Sequence, residues 1–145
     1  MSIPMLSPTL MVRDMEKSIE FYTETLGFEN TFKMPDPEGN LIHANLVWKN
    51  VHIMLGPTTW LAEELIPYRG AGVDFYILSD ADNDIDAYYT MLKEKGVNIV
   101  KEIEDQFWGD RMFSIKDPDG YQLTFAKTLR EVSPEEMMEA IKEMA

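Results

Sequence analysis

Apolar residues recur at helical spacing in two stretches of the chain, and runs with strand character frame each of them. In MEKSIEFYTETL, Met15, Ile19, Tyr22 and Leu26 share one face, Asp14 stands where an N-cap belongs, and Gly27 ends the run. Ile85, Tyr88, Tyr89 and Leu92 repeat the pattern after Asp82 or Asp84, and Gly96 stops it. Ser7 to Arg13 and Val73 to Leu78 read as the strands that precede these helices. FENTFKM and LIHANLVWKNVHIML follow the first helix; VNIVKEI, RMFSIK and YQLTFA follow the second. The order is therefore βαβββ twice. GPTTWLAEELIPYRGAG, with Gly and Pro at both ends, is the linker. DPEGN at 36–40 and DPDGY at 117–121 are both turns, but only the second forms a hairpin tip, so they are not equivalent. The expected class is α+β, two βαβββ modules forming a curved mixed sheet around a concave cleft, plus a C-terminal helix.

Alternation assigns the faces. With Lys49 and Asn50 as a two-residue turn, Val47 pairs with His52, Asn45 with Met54 and His43 with Gly56. Ile42, Ala44, Leu46, Trp48, Val51, Ile53 and Leu55 then share one wholly apolar face, which must meet the helix. His43, Asn45, Val47, His52 and Met54 lie opposite, a mixed set suited to a ligand-lined concavity. In the second half Leu123 and Phe125 go to the helix, and Gln122, Thr124 and Ala126 to the concave side. Phe75, two residues after Val73, is placed on that side as well, with Tyr76 turned toward the helix.

In the tail EVSPEEMMEAIKEMA, Ser133 as N-cap, Pro134 at the first helical position and Glu136 as the box partner start a helix. Met137, Met138, Ile141 and Met144 fall on one side of it. Such a short helix is marginal alone, so it is expected to dock on the sheet or a dimer partner, or to serve as a Met-rich lid.

Composition narrows the function. A chain of 145 residues with 45% hydrophobic content makes one domain with one core. With no Cys, thiolate metal sites, disulfides and cysteine nucleophiles are excluded. A net charge of -13 disfavours nucleic acid and anionic membranes as partners. MSIPMLSPTLMVRD lacks the pattern of a secretory leader, and no apolar run is long enough to span a bilayer, so a cytoplasmic location is expected. The acidic surface would suit a cationic ligand. Many of its residues, Glu16, Glu20, Glu24, Glu135, Glu136, Glu139 and Glu143 among them, sit on predicted helices, where solubility is the plainer explanation.

The stretches LMVRDMEKSIEFYTETLGFE at 10–29 and WGDRMFSIKDPDGYQLTF at 108–125, set in two βαβββ modules, resemble the glyoxalase, bleomycin-resistance and extradiol-dioxygenase superfamily. The resemblance covers about residues 1–127 and implies a single domain at 1–130, with module one about 1–56, a linker about 57–71, module two about 72–127, and a separate helix at 131–145. Metal enzymes of that superfamily take His from the first strand of each module and Glu from the last. Carried over, those positions are Ser7, Val73, Met54 (or His52) and Thr124, which leaves no complete ligand set. His43 and His52 do not replace it, because the predicted register holds them roughly 13 Å apart at about 3.3 Å per residue. His52 alone could act as an acid or base only with an orienting partner.

Trp108-Gly109 resembles the WG of bleomycin-resistance proteins, where the indole lies near the ligand groove; covering the sheet end is the alternative. Arg111 is expected to pair with a neighbouring acid, and Trp48 to lie in the core. The implied function is metal-free binding of an aromatic ligand, cationic in the sharper version, by the bleomycin-resistance branch. The candidate ligand contacts are Met54, Phe75, Trp108, Thr124, His52 and Trp60, with no catalytic residue, metal or cofactor assigned. The alternative is a glyoxalase-related metal-dependent lyase or dioxygenase with displaced ligands. Resemblance also implies a homodimer, to which Pro4 and Pro8 beside the first strand would contribute an exchangeable arm.

Overall fold

A computed structural model describes residues 3–80 and 82–145. The chain divides into two compact units: Met1–Val73 with Asp117–Tyr121, and Asp74–Lys116 with Gln122–Ala145. Each contains one four-stranded mixed sheet.

In the first unit β1 (Thr9–Val12) leads into α1 (Met15–Glu20), which runs on as a wider π-type segment, Phe21–Leu26. Asp14 caps the start by accepting from the Lys17 amide, and Gly27 ends the helix at φ 98°, where a side chain would be strained. β2 (Glu29–Pro35), β3 (Leu41–Trp48) and β4 (Val51–Pro57) complete the sheet in the order β1-β4-β3-β2, with β1 parallel to β4. The β3–β4 hairpin turns at Lys49-Asn50, pairing Val47 with His52 and Asn45 with Met54. Lys49 has φ 52°, as a tight hairpin turn requires. Ala44, Leu46, Ile53 and Leu55 are buried, and α1 packs on β3 and β4. The apolar face predicted for the helix is therefore the one it covers. Two 3-10 turns, Thr58–Trp60 and Glu63–Tyr68, occupy the segment after β4.

The DPDGY turn belongs to this unit and is anchored in it. Asp117 Oδ2 accepts from Tyr22 Oη at 2.8 Å, and its Oδ1 accepts from the Asp119 and Tyr121 amides. Asp119 Oδ1 takes the Arg69 guanidinium at 2.5 Å and the Arg13 amide at 3.0 Å.

The second unit repeats the pattern: β5 (Asp74–Leu78), α2 (Ile85–Glu94), β6 (Asn98–Asp105), β7 (Asp110–Lys116) and β8 (Gln122–Thr128), ordered β5-β8-β7-β6. Asp84 caps α2 by accepting from the Ala87 amide. Phe113, Leu123, Phe125 and Ile115 are buried, and Tyr88 and Tyr89 of α2 meet Phe113, with Tyr88 also edge-on to Phe125. α3 (Pro134–Met144) starts at Ser133, whose hydroxyl accepts from the Glu136 amide, and it buries none of its side chains.

One face assignment is corrected. Parallel pairing sets Phe75 beside Leu123 and Tyr76 beside Thr124. Phe75 thus shares the helix-facing side of Leu123, while Tyr76 and Asp74 share the side of Thr124 and Gln122. FYIL is apolar throughout, so alternation within β5 carries no phase; pairing with β8 decides it.

Candidate functional site

In the first unit, the sheet face turned away from α1 holds a cavity of about 280 Å³, lined by Ser7, Asn45, Val47, His52 and Met54 together with Met5 and neighbours on β2 and β4. The hairpin register creates this lining, because Asn45, Val47, His52 and Met54 are two adjacent cross-strand pairs on one face. Asn45 Oδ1 lies 2.6 Å from His43 Nε2, a hydrogen bond that orients the amide. Asn45 also accepts, through its backbone carbonyl, from Asn30 Nδ2 at 2.9 Å. The wall is largely apolar, with Asn45, His52 and Ser7 supplying polar groups. That composition suits capture of a small organic molecule. Trp60 lies against β4, its ring so close to Gly56 that a Cβ there would stand 2.7 Å from it.

In the second unit the face opposite α2 is polar and ordered. Thr124 is 1% exposed; its hydroxyl donates to Asp74 Oδ1 at 2.7 Å, and the buried Ser114 hydroxyl lies 2.7 Å from it. With Thr124 donating to the carboxylate, Ser114 donates to Thr124. Asp110, 8% exposed, gathers three further donors. Its Oδ2 accepts from Tyr76 Oη at 2.6 Å and Trp108 Nε1 at 3.2 Å, and its Oδ1 from Thr128 Oγ1 at 2.8 Å. Loss of water around the phenol, then its bond to Asp110, push the Tyr76 pKa up to about 12, although the Trp108 hydrogen bond opposes them. Gly109, at φ 103°, fits where a Cβ would stand 2.2 Å from the Arg130 carbonyl, and its own carbonyl accepts from the Leu129 amide at 2.9 Å. This glycine holds Trp108 beside Asp110 while tying in the chain beyond β8.

The candidate contacts therefore fall into distinct sets. His52 and Met54 line one cavity; Trp108 and Thr124 belong to the hydrogen-bonded face of the other unit; Phe75 lies on the helix side. Arg111 pairs with Asp86 and Asp105, both at 2.8 Å. Three residues that sequence reasoning missed are central to the second face: Asp74, Tyr76 and Asp110. An Asp directly after Trp108-Gly109 was a readable signal, whereas Asp74 and Tyr76 became visible only through register.

Register also moves one metal-ligand position. Thr9 pairs with Met54 as Tyr76 pairs with Thr124, so Ser7 corresponds to Asp74, not to Val73. The donors at these positions are a hydroxyl and a thioether in the first unit, and one carboxylate already bonded to a threonine hydroxyl in the second. Among the described residues no three His, Asp or Glu side chains gather to hold a metal ion. This donor set does not fit the transition metals of the superfamily's enzymes.

Paired βαβββ modules with a mixed sheet in each define an α+β scaffold of the glyoxalase type. A sequence model of the Glyoxalase/Bleomycin resistance protein/Dioxygenase superfamily matches residues 5–125, and the chain belongs to that superfamily. It is 31% identical to an uncharacterized protein of Mycobacterium bovis over 141 residues, 95% of this chain and 92% of that one. It is 27% identical to a bleomycin resistance protein of Geobacillus stearothermophilus over 137 residues, 85% of this chain and 96% of that one. Among solved structures, a superfamily member from Sphaerobacter thermophilus superposes with a TM-score of 0.68 at 31% identity, covering 87% of this chain and 98% of that one. TnmS3, an antibiotic binding protein from Streptomyces, superposes at 0.66 with 23% identity, covering 88% and 98%, a likeness of fold.

Proposed function

We propose that the protein binds a small, aromatic organic molecule without a metal, in the manner of the bleomycin-resistance branch of its superfamily, and that it sequesters this ligand. The observation carrying the reading is the cavity of about 280 Å³ on the open sheet face of the first unit. Its lining includes Met54 at a position where metal enzymes of the superfamily place a carboxylate, with His52 and Asn45 for hydrogen bonding and Val47 for apolar contact. Kinship to a bleomycin resistance protein supports a binding role. Trp60, beside Gly56, belongs to the same proposal; on the second unit Trp108 is proposed as a separate ligand contact, while Thr124, buried and hydrogen-bonded to Asp74 and Ser114, is withdrawn as one.

A thermal-shift screen of antibiotics and metabolites, bleomycin included, tests it. A ligand at one hundred times its dissociation constant stabilises the fold by about 2.7 kcal/mol. The expected result is a stabilising aromatic compound whose effect falls in His52→Ala and Met54→Ala. No stabilising compound, together with metal-dependent turnover of a superfamily substrate, would favour the lyase or dioxygenase alternative.

We also propose a homodimer. Ile3, Met5 and Leu6 give the N-terminal segment an apolar surface that is largely exposed in the single chain, with Pro4 and Pro8 beside them. Burial against a second copy would remove that surface from water.

A further inference from the structure

We propose that His43 is a specificity-determining residue for the first-unit cavity. By turning the Asn45 amide it makes the wall donate a hydrogen bond at that point, so the cavity selects an aromatic ligand that carries an oxygen acceptor, such as a ketone or quinone carbonyl, beside its ring. This deepens the binding-protein reading and rests on it.

The polar side chains of the lining are Ser7, Thr31, Asn45 and His52. A hydroxyl rotates to donate or to accept, and a neutral imidazole offers either according to its tautomer, so Ser7, Thr31 and His52 adapt to whatever enters. Asn45 differs, because its two ends are fixed in kind: Oδ1 only accepts and Nδ2 only donates. Whichever end is engaged elsewhere, the cavity receives the other.

His43 makes that choice. It stands two residues before Asn45 on β3, on the same face, and its Nε2 lies 2.6 Å from Asn45 Oδ1. Since Oδ1 cannot donate, Nε2 carries the proton and donates it. Phe32 of β2 steadies the imidazole, with ring centroids 6.1 Å apart, and Asn30 Nδ2 pins the Asn45 backbone by donating to its carbonyl at 2.9 Å. No group among the described residues takes the Nδ2 hydrogens of Asn45, and that atom is not sealed in the interior, so it is the end left for the cavity. Val47 and Met54 beside it are apolar. A carbonyl reaching Nδ2 is therefore poorly hydrated, and its hydrogen bond counts for more than it would in water. A ligand presenting an ammonium or amide N–H at the same point would set donor against donor.

Calorimetric titration with two probes of one shape tests this. 2-Acetylnaphthalene carries a carbonyl where 2-isopropenylnaphthalene carries a methylene group, so comparing the ratio of their affinities between the native chain and a variant cancels their difference in hydration. The expected result is a ketone-to-alkene ratio roughly 2- to 13-fold lower in Asn45→Leu, the scale of one net hydrogen bond. Asn45→Asp, which keeps an acceptor for His43 but meets the carbonyl with lone pairs, should lower it as well. His43→Phe should lower the ratio too, whereas loss of a residue that merely supports the strand would weaken both probes alike. Nitrogen NMR of the native chain should find the neutral His43 ring protonated at Nε2. A ratio unchanged in Asn45→Leu or in His43→Phe would overturn the inference. So would a ring protonated at Nδ1 alone, which would mean that the amide shows its oxygen to the cavity. If both probes bind and weaken in Met54→Ala while the ratio holds in every variant, the binding-protein reading stands and the acceptor preference falls; binding of neither at millimolar concentration would overturn both.

Discussion

Gly109 shows how a single residue sets the second face. At φ 103° any side chain is strained, and a Cβ would also stand 2.2 Å from the Arg130 backbone carbonyl. Gly109→Ala should therefore lose about 1–3 kcal/mol from the backbone conformation alone, and more if the clash cannot relax. Urea unfolding measures that loss, and a change within error would mean the turn adapts freely. Asp117 carries a pH signature. Burial pushes its carboxyl pKa up from the ordinary value of 3.8, against the hydrogen bonds from Tyr22 and two amides. The folded chain thus holds this proton more tightly than the unfolded chain. That contribution is fully present below the ordinary value and is lost as pH rises through the raised one. Asp117→Asn retains an oxygen for the two amides and removes the buried charge. Its stability relative to the native chain should rise with pH above about 4, as followed by urea unfolding; a flat difference would contradict the assignment. None of this was legible in DPDGY, whose turn is obvious from Asp, Pro and Gly but whose partner Tyr22 lies 95 positions away.

Helices and hairpins were the most readable elements, because their signals are local. Asp14, Gly27, Asp84, Ser133 and the Lys49-Asn50 turn all do what residues of their type do at such positions. β5 was not readable in the same way. Its run of apolar residues gives no phase, so Phe75 and Tyr76 exchanged faces once β8 supplied the register. α3 gives a prediction at this scale. Its Met138, Ile141 and Met144 are exposed, whereas α2 buries Ile85 and Leu92. Amide hydrogen exchange in α3 should be far faster than in α2, as for a helix with little tertiary support. Equal protection in the two helices would show that another surface covers this apolar side.

At the scale of the whole molecule, two repeats of one element order carried the fold, and the hydrophobic pattern sufficed to recover it. The site was less legible, since it depends on which side chains pairing brings to one face. The acidic total of -13 does not locate a site, while Asp74 and Asp110 acquire their different parts only from hydrogen bonds. Light scattering at micromolar concentration should give the mass of a dimer; a monomer would contradict the proposal that the Ile3–Leu6 segment is covered by a second copy. The absence of a metal role is the claim on which the binding-protein reading turns, and it rests on what stands at the expected ligand positions, Ser7 and Met54 in one unit and Asp74 and Thr124 in the other. Equilibrium dialysis against zinc, manganese, nickel and iron, followed by elemental analysis, tests it most directly. Metal content far below one equivalent per chain is the predicted result; close to one equivalent, lost in Asp74→Ala, would contradict it.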